Sequence, residues 1–69
     1  MKTLREVRQV RGLVLQALAV RAHTSPATLV AIERYGHRPG PELQTRIAEA
    51  LGVPREELWP EKAAEVAHA

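Results

Sequence analysis

The side chains that could carry out chemistry in this 69-residue sequence are three histidines, eight glutamates and ten lysines or arginines, and cysteine is absent. The histidines, His23, His37 and His68, show neither the paired spacing of a metal site nor a carboxylate at a fixed offset for acid–base catalysis. A Gly-rich phosphate loop and a serine-centred elbow are also missing. We therefore expect no enzyme activity, no metal and no cofactor, and we interpret His23 as a turn residue or a phosphate contact.

The cations are concentrated in the first half of the chain. Residues 1–38 contain seven Lys or Arg against two Glu, a formal charge of +5, whereas residues 39–69 contain three cations against six Glu, a charge of −3. This polarity is typical of a module that presents one end to a polyanion and keeps the other away from it. The alternative is chance asymmetry on a solvated surface. We interpret the six Glu of the second half as part of a solvated helix surface.

Length and composition limit the fold that positions these charges. A chain of this size forms one small domain, and without cysteine it has no disulfide or thiolate metal site to stabilise it. Tyr35 and Trp59 are the two aromatic residues, so we expect a core of Leu, Val and Ala between closely packed helices. The sequence has no apolar run as long as a membrane span and no signal-peptide pattern after Lys2, which predicts a cytoplasmic protein without membrane contact.

Capping and helix-breaking residues divide the chain into five short helices. Thr3 and Glu6 form a capping box for the first helix, and Ser25 followed by Pro26 caps the third. The helices are predicted at about 4–11, 15–22, 26–34, 41–51 and from 54, with Gly residues after the first and fourth. Their predicted inward residues include Leu4, Val7, Leu18, Ala22, Leu29, Ile32, Leu43, Ile47, Ala50, Leu51, Leu58 and Trp59.

Four stretches, LREVRQVRGL, LAVRAHTS, AIERYGHRP and IAEALGVPREELW, are together similar to the phage-repressor or Cro-type helix-turn-helix family, also called the Xre family. The resemblance extends from about Leu4 to Trp59. It implies an all-α, five-helix phage-repressor-like domain in which the second and third helices form a helix-turn-helix and the third enters the major groove of DNA. We assign residues 1–60 to this helix-turn-helix DNA-binding domain and residues 61–69 to an Ala-rich C-terminal tail.

One charge pair follows from the resemblance. In this family an Arg of the first helix commonly pairs with a Glu near the end of the third, and the matching residues here are Arg8 and Glu33. A planar guanidinium can hold a carboxylate through two parallel hydrogen bonds, so the pair would fix the third helix against the scaffold. The alternative, two unrelated surface charges, is disfavoured because Glu33 follows the inward Ile32 in matching register.

The start of the second helix departs from the family pattern. The family usually has a hydroxyl residue and then a Gln that contacts a DNA phosphate, whereas this sequence has Val14 and Leu15, with Gln16 one position out of register. The helix therefore lacks its usual cap and its usual phosphate clamp. Gln16 stays a candidate DNA contact, and the cations that could replace the clamp are Arg11, Arg21, Arg34, His37 and Arg38.

The groove-facing surface departs further. By the family pattern it consists of Ser25, Pro26, Ala27, Thr28 and Ala31, with Val30 at the edge. Only Ser25 and Thr28 can form hydrogen bonds, and neither can make the bidentate base contacts available to Arg, Asn or Gln. The apolar side chains could instead touch thymine methyl groups, which gives a shallow preference, and DNA shape could add to it.

The loop after the third helix and four valines also differ from the family pattern. The segment ERYG has one residue more between Glu and Gly than the commonest spacing. Tyr35 either covers the edge of the core, which is the favoured interpretation, or lies against the sugar-phosphate backbone, and His37 and Arg38 are better phosphate candidates. A contiguous exposed patch of valines would indicate a homodimer contact or a protein partner. The valines at usually polar positions are Val10, Val14, Val20 and Val30.

These observations favour a small sequence-specific DNA-binding transcriptional regulator that occupies an operator through the helix at about 26–34. It would bind the phosphate backbone and major groove of double-stranded DNA as a homodimer. The alternative is a protein-interaction module of the same fold that docks on another protein. The small apolar helix face favours the alternative, whereas the basic N-terminal half favours DNA, and the salt dependence of DNA binding would distinguish the two.

Overall fold

A computed structural model describes residues 3–60, which form five α-helices without strands. The helices are α1 (Leu4–Val10), α2 (Leu15–Arg21), α3 (Pro26–Tyr35), α4 (Pro41–Leu51) and α5 (Arg55–Leu58). The all-α, five-helix prediction is confirmed, and the predicted helix ends agree closely with the observed ones. None of the helices described is long and apolar enough to cross a bilayer. The predicted tail at 61–69, including His68, lies outside the described residues, so the boundary at residue 60 stays a prediction.

The helix starts differ in how their free backbone N–H groups are satisfied. At α1 the capping box is complete, because the Thr3 hydroxyl accepts from the Glu6 N–H at 3.1 Å and the Glu6 carboxylate accepts from the Thr3 N–H at 3.0 Å. At α3 the Ser25 hydroxyl accepts from the Thr28 N–H at 3.1 Å, with Pro26 in the first turn. At α2 the N-cap is Val14, which forms no side-chain cap hydrogen bond. Of the two helices that the turn joins, α2 therefore has the more weakly capped start.

The turn between α2 and α3 is built on a left-handed residue that is not glycine. His23 has φ of 56°, while its N–H donates to the Val20 carbonyl at 3.2 Å and the Thr24 N–H donates to the Ala19 carbonyl at 2.9 Å. This pair of bonds satisfies the last carbonyls of α2 and is the arrangement that usually places Gly at the left-handed position. Gly12, after α1, has φ of 70° and shows that usual choice. The prediction that His23 is a turn residue is confirmed.

The core lies where α2, α3 and α4 meet. Leu18, Leu29 and Ile47 are fully buried there, one from each helix. Leucines and alanines fill most of the surrounding space, as predicted, and Trp59 is half-buried at the edge. The remaining buried apolar residues are Leu4, Val7, Ala19, Ala22, Ala48, Leu51 and Leu58.

The buried stripe of α4 differs from the prediction. The inward residues are Gln44, Ile47, Ala48 and Leu51, whereas the predicted Leu43 and Ala50 are half-buried. The observed set has the spacing i, i+3, i+4 and i+7, so an amide occupies the first position of an otherwise apolar helix face. This amide lies next to the loop that joins α3 to α4.

Candidate nucleic-acid interface

The inner side of α3 is attached to α1 by a two-point ion pair. Arg8 Nε donates to Glu33 Oε2 at 2.8 Å and Arg8 Nη2 donates to Glu33 Oε1 at 3.2 Å. Both side chains are largely buried, with exposed fractions of 13% for Arg8 and 5% for Glu33. Arg8 Nη1 also donates to the Leu13 carbonyl at 2.8 Å. One guanidinium therefore joins α1, the segment before α2, and α3 in the geometry that the sequence predicts for this pair.

Two hydrogen bonds from α4, which the sequence analysis did not predict, hold the segments on either side of α3. Arg46 Nε donates to the Ala22 carbonyl at 2.9 Å, just before the turn that leads into α3. Gln44 Nε2 donates to the Pro39 carbonyl at 2.9 Å, in the loop that follows α3. Both are contacts between a side chain and a backbone carbonyl, which no residue spacing in the sequence reveals.

The two hydroxyls of the predicted groove-facing surface are engaged with each other. Ser25 is exposed and Thr28 is half-buried, and their side-chain oxygens lie 2.9 Å apart in a hydrogen bond. Ser25 also accepts from the Thr28 N–H. Because each hydroxyl has one donor and two acceptor sites, one O–H and two lone pairs stay open to a ligand. The helix start can therefore offer a single side-chain donor and some acceptors to a groove.

The rest of this surface is small and apolar. Pro26 and Ala27 are exposed, whereas Ala31 and Val30 are half-buried. Positions 27, 31 and 34 recur at helical spacing on the side of α3 opposite the buried Leu29. This side therefore presents methyl groups and one proline ring between its polar start and the charged Arg34 at its other end.

The charged candidates stand at the C-terminal end of α3. Arg34 lies in the last turn, and His37 and Arg38 lie in the loop before α4; all three are exposed. Arg34 is about 12 Å along the helix axis from the first residue of α3. All three side chains therefore lie at the opposite end of α3 from its N-cap Ser25. The positive charge of Arg34 in the last turn also complements the helix dipole.

The remaining predicted contacts are on α1 and α2. Gln16 is exposed in the first turn of α2, and Arg21 is exposed in its last turn. Arg11, the C-cap of α1, is exposed as well. The structure thus leaves each of these side chains accessible, and it brings Arg11 and Arg21 together around one shallow depression. Gln16 does not line that depression.

The exposure of the apolar residues corrects the expectation for Tyr35 and divides the four valines. Tyr35 is 77% exposed at the end of α3, so the favoured interpretation that it covers the core edge is wrong. Val10, Val14 and Val20 are exposed, but Val30 is half-buried and does not belong with them. Tyr35 is exposed because α3 continues through the extra residue of ERYG, which places the Tyr35 side chain on the solvent side of the helix.

Among residues 3–60, no three His, Cys, Asp or Glu side chains come together in a way that would hold a metal ion. The geometry that the chain does offer is a helix with a solvent-facing start, preceded by a tight turn and a shorter helix, on a scaffold of three further helices. No curated protein matches the chain significantly. A family model described as a helix-turn-helix domain matches residues 2–59, which includes all five helices. The chain therefore belongs to the helix-turn-helix domain family.

Proposed function

We propose that this protein is a small, cytoplasmic, sequence-specific DNA-binding regulator of transcription that occupies an operator with α3 in the major groove. The observation that carries the proposal is the two-sided environment of α3. Its inner side is fixed by the Arg8–Glu33 pair, while its start at Ser25, Pro26 and Ala27 faces solvent. Membership of the helix-turn-helix family supports the same role, because that motif places its second helix in the groove.

Base reading in this proposal rests on Ser25, Thr28 and the apolar side chains beside them. The remaining hydroxyl donor can contact one base edge, and Ala27 and Ala31 can contact thymine methyl groups. Pro26 adds bulk without a backbone N–H. Such contacts discriminate less than a bidentate Arg, Asn or Gln contact, so the width and flexibility of the site supply part of the specificity.

Attachment to the phosphate backbone in this proposal comes from Gln16, Arg34, His37 and Arg38. These side chains are exposed, and they lie outside the α3 start that would meet the bases. Phosphate contacts position a protein on DNA without reading its sequence. Because each neutralised phosphate releases counterions, binding should weaken steeply as salt rises. Residues 1–60 are proposed as the DNA-binding unit.

We further propose that two copies bind together, since one α3 offers few base contacts and a twofold dimer reads two half-sites. The exposed Val10 supports an association surface. Val10 is 83% exposed and borders an open groove with Val53 and Pro54. A Val10→Glu substitution should weaken self-association measured by sedimentation, whereas the same change at Val20 should not if the groove is the contact.

The test is selection of bound fragments from mixed genomic DNA across a salt series, followed by sequencing. The proposal expects enrichment of a short palindrome, loss of binding with rising salt, and weaker binding for Thr28→Ala and Arg38→Ala. Retention of DNA without any enriched sequence would reduce the role to non-specific DNA binding. No retention at low salt would overturn DNA binding altogether.

The second candidate function is a protein-interaction module of the same fold. The observation that favours it is the apolar solvent side of α3, in which the two hydroxyls already bond each other. A protein partner in this candidate would cover Pro26 and Ala27 and leave the basic residues solvated. Failure to retain DNA, together with a protein partner whose binding is lost on Ala27→Glu, would establish this function instead.

A further inference from the structure

We infer that α4 sets the orientation of α3 through Arg46 and Gln44, and that these two positioning residues determine how well the protein distinguishes its operator from other DNA. The inference rests on the proposed function. Arg46 holds the Ala22 carbonyl before α3 and Gln44 holds the Pro39 carbonyl after it, each at 2.9 Å. Two side chains of one helix, two positions apart, therefore hold both segments that connect α3 to its neighbours.

The contact of Arg46 completes the turn before α3. The carbonyls of Ala19 and Val20 are satisfied by the N–H groups of the turn itself. Ala22, the last buried residue before His23, presents its carbonyl to the Arg46 guanidinium. The other partner of Arg46 is Glu42, at 3.8 Å and 90% exposed, which makes a weak surface pair. The main role of Arg46 is therefore to hold the entry to α3.

Gln44 differs from Arg46 because one polar atom of its side chain is buried unfavourably. Gln44 is 1% exposed, and its Oε1 is buried without a hydrogen-bond partner among the residues described. A buried acceptor without a partner lowers stability, and a Met or Leu of similar volume would avoid that loss. The favourable half of the amide is its donation to Pro39, next to His37 and Arg38 in the loop. Gln44 therefore fixes the exit of α3 while keeping one buried acceptor unpaired, whereas an apolar residue would remove that acceptor but leave the Pro39 carbonyl without its donor.

Orientation matters more in this protein than in one with long reading side chains. Ala27 and Ala31 reach only one carbon beyond the backbone, so their contacts with thymine methyl groups depend directly on the position of the helix axis. A long Gln or Arg could adjust its rotamer to a small displacement, whereas an alanine cannot. A looser α3 should therefore lose discrimination between sites before it loses general affinity for DNA.

The experiment compares full-length variants, each verified as folded by circular dichroism at the assay temperature. For Arg46→Met, Arg46→Lys and Gln44→Met, affinity is measured for the selected operator and for a scrambled duplex of equal length. Leu58→Ala, which truncates a buried residue of α5 and leaves the Arg46 and Gln44 side chains unchanged, is the control for lost stability. We expect the operator-to-scrambled ratio to fall about fivefold or more in both Met variants. Arg46→Lys, which keeps a donor, should retain most of the ratio, and Leu58→Ala should retain all of it.

The inference is overturned on its own if the wild-type protein discriminates its operator and both Met variants discriminate equally well, or if Leu58→Ala loses as much discrimination as they do. A wild-type protein that does not discriminate between the duplexes overturns the proposed function and this inference together. If Arg46→Met does not fold, Gln44→Met decides alone. Its loss of the bond to Pro39 is offset by removal of a buried oxygen that has no partner among residues 3–60. A general loss of stability would not change the affinity ratio of a variant that is folded in the assay.

Discussion

The two sides of α3 differ in how strongly the chain specifies them. The inner side carries a bidentate ion pair, with a further bond from the same guanidinium to Leu13, and α4 holds the segments before and after the helix. The solvent side carries a Ser–Thr hydrogen bond, a proline and small apolar residues. Most of the polar side-chain contacts are thus used to orient the helix, and few polar groups are left on the side proposed to meet DNA. The contrast teaches that, if α3 binds an operator as proposed, specificity would depend on how the helix is held as well as on what it presents.

The largest effect should come from removing the ion pair on the inner side. Glu33→Ala leaves the Arg8 guanidinium buried without its partner, and loss of one member of a buried pair typically costs about 3–5 kcal/mol. A domain this small has about that much stability in total. Urea unfolding should therefore show a largely unfolded variant.

Glu42→Ala is the matched control for that change, because its carboxylate is 90% exposed and makes only the weak contact with Arg46. It should shift the free energy of unfolding by no more than about 0.5 kcal/mol. Equal effects of Glu33→Ala and Glu42→Ala on the free energy of unfolding would show that the Arg8–Glu33 pair stabilises the domain no more than an exposed pair does.

The next effect concerns the charged end of the solvent side. Arg38→Ala should weaken DNA binding about tenfold, as expected for a lost charge-assisted hydrogen bond. It should also lower the slope of log affinity against log salt by about one. Fluorescence anisotropy across a salt series measures both. Arg55→Ala, in the acidic second half of the chain, is the control and should leave the slope unchanged.

A smaller effect is expected at the start of α3. Ser25→Ala removes both the cap on the Thr28 N–H and the hydroxyl pair, and loss of such a cap costs about 1 kcal/mol. The reciprocal change, Val14→Ser, should stabilise the uncapped α2 by a similar amount. Thermal unfolding of the two variants would measure the difference between the two helix starts. A Ser25→Ala variant with unchanged thermal stability would contradict the expected contribution of the cap at the start of α3.

The smallest effect should be a gain of stability at the turn. His23→Gly removes a side chain from a left-handed position and should stabilise the domain by about 0.5–1 kcal/mol, after the entropy that glycine adds to the unfolded chain. Chemical unfolding measures the gain. If His23 also contacts a phosphate, the more stable variant should bind DNA less tightly. A stabilised variant with unchanged affinity would leave the histidine with a turn role only.

Local sequence signals predicted the helices well. Thr3 with Glu6, and Ser25 with Pro26, specify helix starts through atoms only a few residues apart, and the structure shows these caps in place. The Arg8–Glu33 contact joins residues far apart in sequence, and it was predicted from the family resemblance rather than from any local pattern. The roles of the groove-facing residues stay predictions, since they depend on a ligand.

The contacts that the sequence did not predict involve backbone carbonyls or small changes of helix length. The donation of Arg46 to Ala22 depends on where α4 crosses the end of α2, which no spacing records. Tyr35 was misplaced because one additional helical residue rotates a side chain by about 100° around the axis. The burial of Gln44, unlike its contact with Pro39, did leave a signal, because Gln44 shares the helical spacing of the buried Ile47, Ala48 and Leu51. An amide in such a stripe is normally interpreted as solvent-facing.

Because the solvent side of α3 carries few polar groups, the domain is a convenient scaffold for protein engineering. Ala27 is exposed and takes no part in the cap, the ion pair or the contacts from α4, so a longer side chain can be introduced there without disturbing the fold. A combinatorial library of Arg, Asn, Gln and Ser at this position, extended to the half-buried Ala31, could be screened against chosen DNA targets. Each clone would start from the same helical framework, so its new preference could be attributed to the installed side chains.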